Sequence, residues 1–171
     1  MALGLLGGGF DSSRAAQDEF DEWYDTEHIP ERLRIPGFIN AVRWVGTKNP
    51  RLSLALYDLE SLEVLTKPAY RAVSPENFSP WSKRILVRQC VRLCRFNCMQ
   101  TVPGDRVAPQ EGTGLFVFAV NTETEIEEAF VRWFEREHLP RVAAVSGVLC
   151  ARAFRTPANA PGSRSHRYVA T

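Results

Sequence analysis

One phrase is written twice in this chain, and the spacing between its copies limits what the chain can fold into. Phe20, Trp23, Glu27, His28 and Pro30 reappear as Phe130, Trp133, Glu137, His138 and Pro140, each 110 positions later, and Gly37 and Gly147 keep the same offset. Self-similarity at a fixed period marks a duplicated supersecondary unit, so whatever plan serves the first copy should serve the second. The duplication also bears on chemistry, because it places a histidine beside a glutamate twice in a chain that has only three histidines.

The residues around the first copy alternate between strand and helix signals. Gly4 to Phe10 opens as an apolar stretch weakened by Gly7, Gly8 and Gly9. It lacks the G-x-x-x-x-G-K pattern of a phosphate loop. A helix is expected from about Ser13 to His28, with Asp11, Ser12 or Ser13 as its cap and Ala16, Phe20, Trp23 and Tyr24 on one buried face. Ile126, Phe130, Trp133 and Phe134 repeat that face. Pro30 and Pro140 are expected to break or kink their helices, since proline lacks the N–H and disfavours helical geometry at the residue before it. Strands are expected over 38–45, 51–57 and 89–102, with short helical pieces over 60–70 and 79–86. The order is β-α-β-β-α-β, the split-βαβ or ferredoxin-like plan, so the fold class is α+β.

The organisation that follows is a first unit over 1–104, a linker over 105–112, and a second unit over 113–171. The second unit repeats the first (strands expected over 114–120 and 148–154) but stops at Arg167 to Thr171, where its third strand begins. Counterparts of the second helix and the fourth strand are missing, and an unpaired strand there would be an aggregation-prone edge.

Composition narrows the setting. With 44% hydrophobic and 24% charged residues the 171-residue chain is of ordinary globular type, and a net charge of +1 gives no field favouring nucleic acid or an anionic membrane. No apolar run approaches the length of a membrane span. Met1 to Phe10 has no basic segment ahead of it and turns acidic at Asp11, so no secretory leader is expected. Cys90, Cys94 and Cys98 recur every fourth residue, which is neither a zinc pattern nor a disulfide framework. On a strand they share one face, where free cysteine acts as a small hydrophobe. A reducing cytoplasm is the expected compartment, with no metal and no cofactor.

The repeated phrase carries the chemistry. His28 lies four residues after Tyr24, so its ring extends the apolar stripe, and Glu27 lies four after Trp23 on the adjacent flank. A half-buried imidazole can exchange protons with a ligand, and a nearby carboxylate or a helix C-terminus would raise its basicity. Candidate catalytic residues are thus His28, Glu27 as its orienting partner, and His138. Trp23, Tyr24, Trp133 and Phe134 are candidate walls of a substrate pocket. The same histidines read equally as caps of helix carbonyls, and the tryptophans as packing anchors. The copies differ where Tyr24, Glu31, Arg32 and Pro36 become Phe134, Arg141, Val142 and Ser146, which favours His28.

Glu27-His28-Ile29-Pro30-x-Arg32-x-x-x-Pro36-Gly37-Phe38 resembles the H-x-P…PG signature of EthD-like proteins in the dimeric α+β barrel superfamily, and Glu137-His138-Leu139-Pro140…Gly147-Val148 is similar to it. The resemblance implies ferredoxin-like units whose sheets pair face to face, either as a homodimer or as repeats within one chain, with a pocket between each sheet and its helices. It implies cofactor-free acid–base chemistry of a dehydratase, isomerase or cyclase type on a small apolar or aromatic compound, with the helix histidine as acid or base. A non-catalytic module binding a small ligand, or associated with stress, remains the alternative, followed by a degenerate structural protein.

Overall fold

The computed structural model describes residues 2–157 and 167–171. One antiparallel sheet of seven strands organises them, in the order β2-β3-β1-β4-β6-β7-β5. The strands are β1 (Gly4–Asp11), β2 (Phe38–Val45), β3 (Leu52–Leu59), β4 (Val91–Val102), β5 (Phe118–Val120), β6 (Ala153–Arg155) and β7 (Tyr168–Ala170). The first four, in the order β2-β3-β1-β4, have the ferredoxin-like arrangement expected. Further along, β6-β7-β5 follow the order of β2-β3-β1, and β4 joins β6 through Met99 opposite Arg155.

The glycine-rich opening is a central strand rather than a weakened one. β1 pairs over its whole length with β3, and with β4 on its other side. The reason is close packing: a Cβ on Gly7 would stand 2.6 Å from the Phe96 ring, and one on Gly9 would stand 2.6 Å from Cys94 Sγ. The glycines leave the space that large neighbours fill.

Alternation sorts the sheet into two buried faces. On one, Leu6, Ala55, Tyr57, Leu59 and Phe38 pack against Phe20, Trp23, Tyr24, Val64 and Ile85 from the helices. On the other, Leu5, Leu56, Phe96, Cys98, Phe154 and Val169 form a core, joined by Leu115, Val117 and Ala119. On this second face a Cβ on Gly112 would stand 3.7 Å from the Trp44 ring of β2. Polar groups tie the neighbouring segment to the sheet. Arg152 Nη1 donates to Asp58 Oδ1 at 2.6 Å, the Ala108 N–H donates to Asp58 Oδ2 at 2.8 Å, and Asn40 Nδ2 donates to the Ala108 carbonyl at 3.1 Å. The expected linker is thus pinned at Ala108 to β2 and β3.

The helical connections depart from expectation at the prolines. The first runs without a break as α1 (Gln17–Trp23), a π-helical stretch over Tyr24–His28, and α2 (Ile29–Leu33). The Ile29 N–H reaches the Tyr24 carbonyl, a five-residue step that widens the turn just ahead of Pro30. Proline lacks a donor, and the wider turn takes it in without stopping the helix. Residues 127–143 do the same, as α5 (Glu127–Trp133), a π-helical stretch over Phe134–His138 and α6 (Leu139–Ala143), with the Leu139 N–H on the Phe134 carbonyl. Both runs end in a turn through a glycine with positive φ, Gly37 at 98° and Gly147 at 89°, a conformation open chiefly to glycine. The N-terminal boundary also shifts: Ala16 precedes the helix without a side-chain cap, while Asp11 accepts from the Ser13 N–H and hydroxyl before it.

Between β3 and β4, a 3-10 turn (Leu62–Thr66), α3 (Pro68–Arg71), α4 (Pro80–Ser82) and a π-helical stretch (Lys83–Gln89) cover the first helix. Among the described residues nothing of this kind covers α5 and α6, and Trp133, Val145, Leu149 and Ile126 are exposed. β5 and β6 are three residues each, shorter than the runs expected over 114–120 and 148–154. β5 has a neighbour on one side only. Among the described residues no helix is long and apolar enough to cross a membrane.

Candidate functional site

The wider turn decides where the histidines point. In an α-helix residues i and i+5 face apart, but the π-helical stretch brings position 28 back over position 23. The His28 ring lies 4.6 Å from the Trp23 ring at 32° and meets Tyr24 edge-on at 5.1 Å. His138 repeats this on Trp133 at 4.9 Å and 27°, and lies 5.4 Å from Phe134. The repeated phrase therefore encodes a local conformation, a tryptophan–histidine stack on a widened turn.

Burial separates the two copies. His28 is 7% exposed, and Trp23 and Tyr24 are fully enclosed. His138 and Glu137 lie at the surface, and Trp133 is 44% exposed. The first copy has a cover and the second has none among the described residues. His28, Trp23 and Tyr24 come together as expected, whereas His138 and Trp133 form an open patch.

Glu27 belongs elsewhere. Its Oε1 accepts from Trp23 Nε1 at 3.2 Å, Ser79 Oγ at 2.6 Å and Ser82 Oγ at 2.8 Å. Trp23 Nε1 also donates to Ser82 Oγ at 3.1 Å. The carboxylate thus ties the helix to its cover, and His28 Nδ1 is buried with no hydrogen-bond partner. The orienting role expected of Glu27 is corrected accordingly.

The electrostatics of His28 reverse as well. Burial, and then the Arg32 guanidinium, hold its imidazole well below the usual 6.5, so it is neutral at neutral pH. The helix does not end at residue 28, so no free C-terminal carbonyls stabilise an imidazolium there. Burial is also the largest cause of the shifts in the two phenols beside it. Tyr24 is raised well above 10, with Tyr57 as the next cause, and Tyr57 is pushed up to about 12. The two phenols interact with each other, and the Tyr57 hydroxyl meets no further partner.

Several members of this site carry no signal in the repeated phrase. Tyr57 comes from β3, on the same face as Ala55 and Leu59, and Arg95 comes from β4 opposite the cysteine face. Arg32 is 5% exposed and lies 5.4 Å over the Tyr70 ring, whose hydroxyl accepts from Arg95 Nη2 at 2.9 Å. Strand alternation could have placed Tyr57 and Arg95 on the helix face. Arg43, from β2, flanks the site: it pairs with Asp21 at 2.8 Å and lies over the Tyr24 ring at 5.2 Å.

The four cysteines are free, and burial raises Cys98 and Cys90 to about 11. An open groove of about 520 Å³ runs beside α5, lined by Glu127, Val131, Arg132, Glu135 and Arg155, among others. No group of three or more histidine, cysteine or acidic side chains is placed to hold a metal among the described residues.

No family model and no curated protein matches the sequence. Solved structures do. A protein described as a chlorite dismutase superposes with a TM-score of 0.54 over 99% of this chain and 78% of its own, at 9% identity. The fold is that of the dimeric α+β barrel proteins. Looser likenesses are SnoaB, a cofactor-independent oxygenase from Streptomyces nogalater, and an EthD family protein from Bacillus halodurans. The first has 15% identity over 60% of this chain and 99% of its own, with a TM-score of 0.46. The second has 17% identity over 54% of this chain and 95% of its own, with a TM-score of 0.39. In this fold the candidate site lies between the sheet and the helix with its cover, on the face opposite the Leu5, Phe96 and Phe154 core.

Proposed function

We propose that this chain is a small-molecule enzyme of EthD-like type, using cofactor-free acid–base chemistry on a small apolar or aromatic compound, with His28 as the proton acceptor. One observation carries the reading: a buried, neutral imidazole with a free nitrogen, held between Trp23 and Tyr24. A neutral imidazole can take a proton, and aromatic walls suit a flat apolar body. Access requires the short helical pieces between β3 and β4 to move, because His28 is nearly closed off. His138, open to solvent, takes no part in this reading.

The test is proton exchange. Aryl ketones that stabilise the protein in a thermal-shift screen are incubated in deuterated water, and label uptake next to the carbonyl is followed by NMR. General acid–base catalysis contributes about 10²–10⁴-fold, so His28→Asn should slow uptake by at least ~100-fold. Full exchange by that variant ends the catalytic assignment. The closed site also suits a binding module without catalysis. That reading expects the same ligands to bind, with no exchange in wild type and affinity indifferent to His28→Asn.

A further inference from the structure

Proton acceptance by His28 gives no role to the charge beside it. Arg32 is buried at 5% exposure, and its Nη1 has no hydrogen-bond partner. The carboxylate near it is Glu31, 4.0 Å from Nη2, at the outer limit of an ion pair and beyond hydrogen-bond reach. Burial raises the Glu31 pKa although Arg32 lowers it, and its own Oε2 makes no hydrogen bond. A guanidinium cannot shed its proton to escape burial, and buried charges are normally paired. Arg32 thus lacks a close partner.

Other donors gather around it from separate elements. The Tyr57 hydroxyl, on a residue 3% exposed, meets no partner beyond the Tyr24 phenol beside it, and Arg95 Nε is buried and unpartnered. Arg95 reaches the cluster through Tyr70, which it bonds and which lies under Arg32. The Arg32 charge is felt at His28, Tyr24 and Tyr57 alike. A helix and two strands therefore supply donors whose missing complement is an acceptor carrying negative charge. The second copy of the phrase has Val142 in place of Arg32, so the arrangement occurs once.

We propose that Arg32, Tyr57 and Arg95 form a buried oxyanion subsite, and that the ligand of the His28 site is an apolar or aromatic molecule bound through an anionic oxygen. This rests on the function proposed above and deepens it. If the substrate is a ketone, the α-carbon's proton passes to His28 Nδ1. The C–H electron pair becomes the new C=C bond, and the carbonyl π pair moves onto oxygen. The enolate oxygen then sits on Arg32 and Tyr57, and returning the proton to carbon or oxygen regenerates the imidazole. Charge-assisted bonds to a preplaced donor set stabilise the anion in the way an oxyanion hole does.

The test compares benzoate with benzamide, which have nearly the same shape and differ in charge, by calorimetric titration of the intact chain. Benzoate should bind once per chain and about tenfold or more tightly than benzamide, a preference that Arg32→Met abolishes. Tyr57→Phe should weaken benzoate binding while leaving benzamide binding within about twofold, because the lost hydroxyl serves the anionic oxygen. His28→Asn should keep the preference for benzoate even where proton exchange is lost. Loss of exchange alone bears on His28, and loss of the preference in wild type bears on the subsite. Equal binding of the two probes, two benzoates per chain, a preference that survives Arg32→Met, or benzoate affinity unchanged in Tyr57→Phe would each overturn the subsite.

Discussion

The depressed basicity of His28 makes the fold sensitive to mild acid, and the size of that effect follows from linkage. In the unfolded chain the imidazole titrates near 6.5, while in the folded chain burial and Arg32 hold it well below. Between those two values the unfolded state binds a proton that the native state refuses, so stability rises with pH and falls as pH is lowered. The full contribution is present above 6.5, and the loss stops below the lowered folded value. The slope in that window is about 1.4 kcal/mol per pH unit, giving a loss of at most about 2 kcal/mol between neutrality and pH ~5. Glu31 acts in the opposite sense, because its raised pKa lets the native state bind a proton early, so measurements belong above its range. Urea unfolding from pH ~7.5 to ~5 in wild type and in His28→Phe isolates the term, since every other group cancels in the difference. Wild type should lose up to ~2 kcal/mol more than the variant over that range. Parallel stability curves, or an NMR titration placing His28 at an ordinary midpoint, would refute the argument.

Glu27→Gln should cost about 1–3 kcal/mol in urea unfolding, because a carboxylate oxygen taking three donors is replaced by an amide that can keep only some of them. The same variant should leave the His28 imidazole titration where it is, and a marked fall would restore Glu27 as its orienting partner. Asp58→Ala should cost about 3–5 kcal/mol, since it leaves Arg152 buried and unpaired, and the double change Asp58→Leu with Arg152→Met should recover most of that loss in chemical denaturation. Gly7→Val should cost about 1–3 kcal/mol or more through the Phe96 ring, seen as a lowered melting temperature.

How much of this was legible depends on which physical signal each element sends. The order of strands and helices in 1–104 follows from alternation and helical periodicity, and the structure bears out the ferredoxin-like arrangement there. The glycines of β1 misled, because a strand interior rich in glycine is read by its own weak propensity, whereas Phe96 and Cys94 supply the packing from across the sheet. Pro30 misled for a related reason. The rule that proline ends a helix presumes four-residue steps, and one five-residue step absorbs the missing donor. The aromatic half of the site was readable from the repeat. The polar half was not, because Tyr57, Tyr70 and Arg95 come from elements far away in sequence, and Arg32, whose counterpart is Val142, sends no repeated signal.

That last difference carries the argument further than the likeness does. Two copies of one phrase adopt the same widened turn and the same stack of histidine on tryptophan, so the phrase alone accounts for conformation. Among the described residues only the copy at 20–30 is covered, by the segment between β3 and β4, and there a guanidinium without a close counter-charge stands beside the imidazole. Burial keeps that imidazole neutral, whereas the second copy is uncovered among the described residues and has Val142 in place of the arginine. His138→Ala should therefore leave ligand affinity and proton exchange within about twofold of wild type, while His28→Asn removes the exchange. Equal losses from the two variants, measured on the same ketone, would show that the shared conformation and not the buried polar cluster is what the chemistry needs.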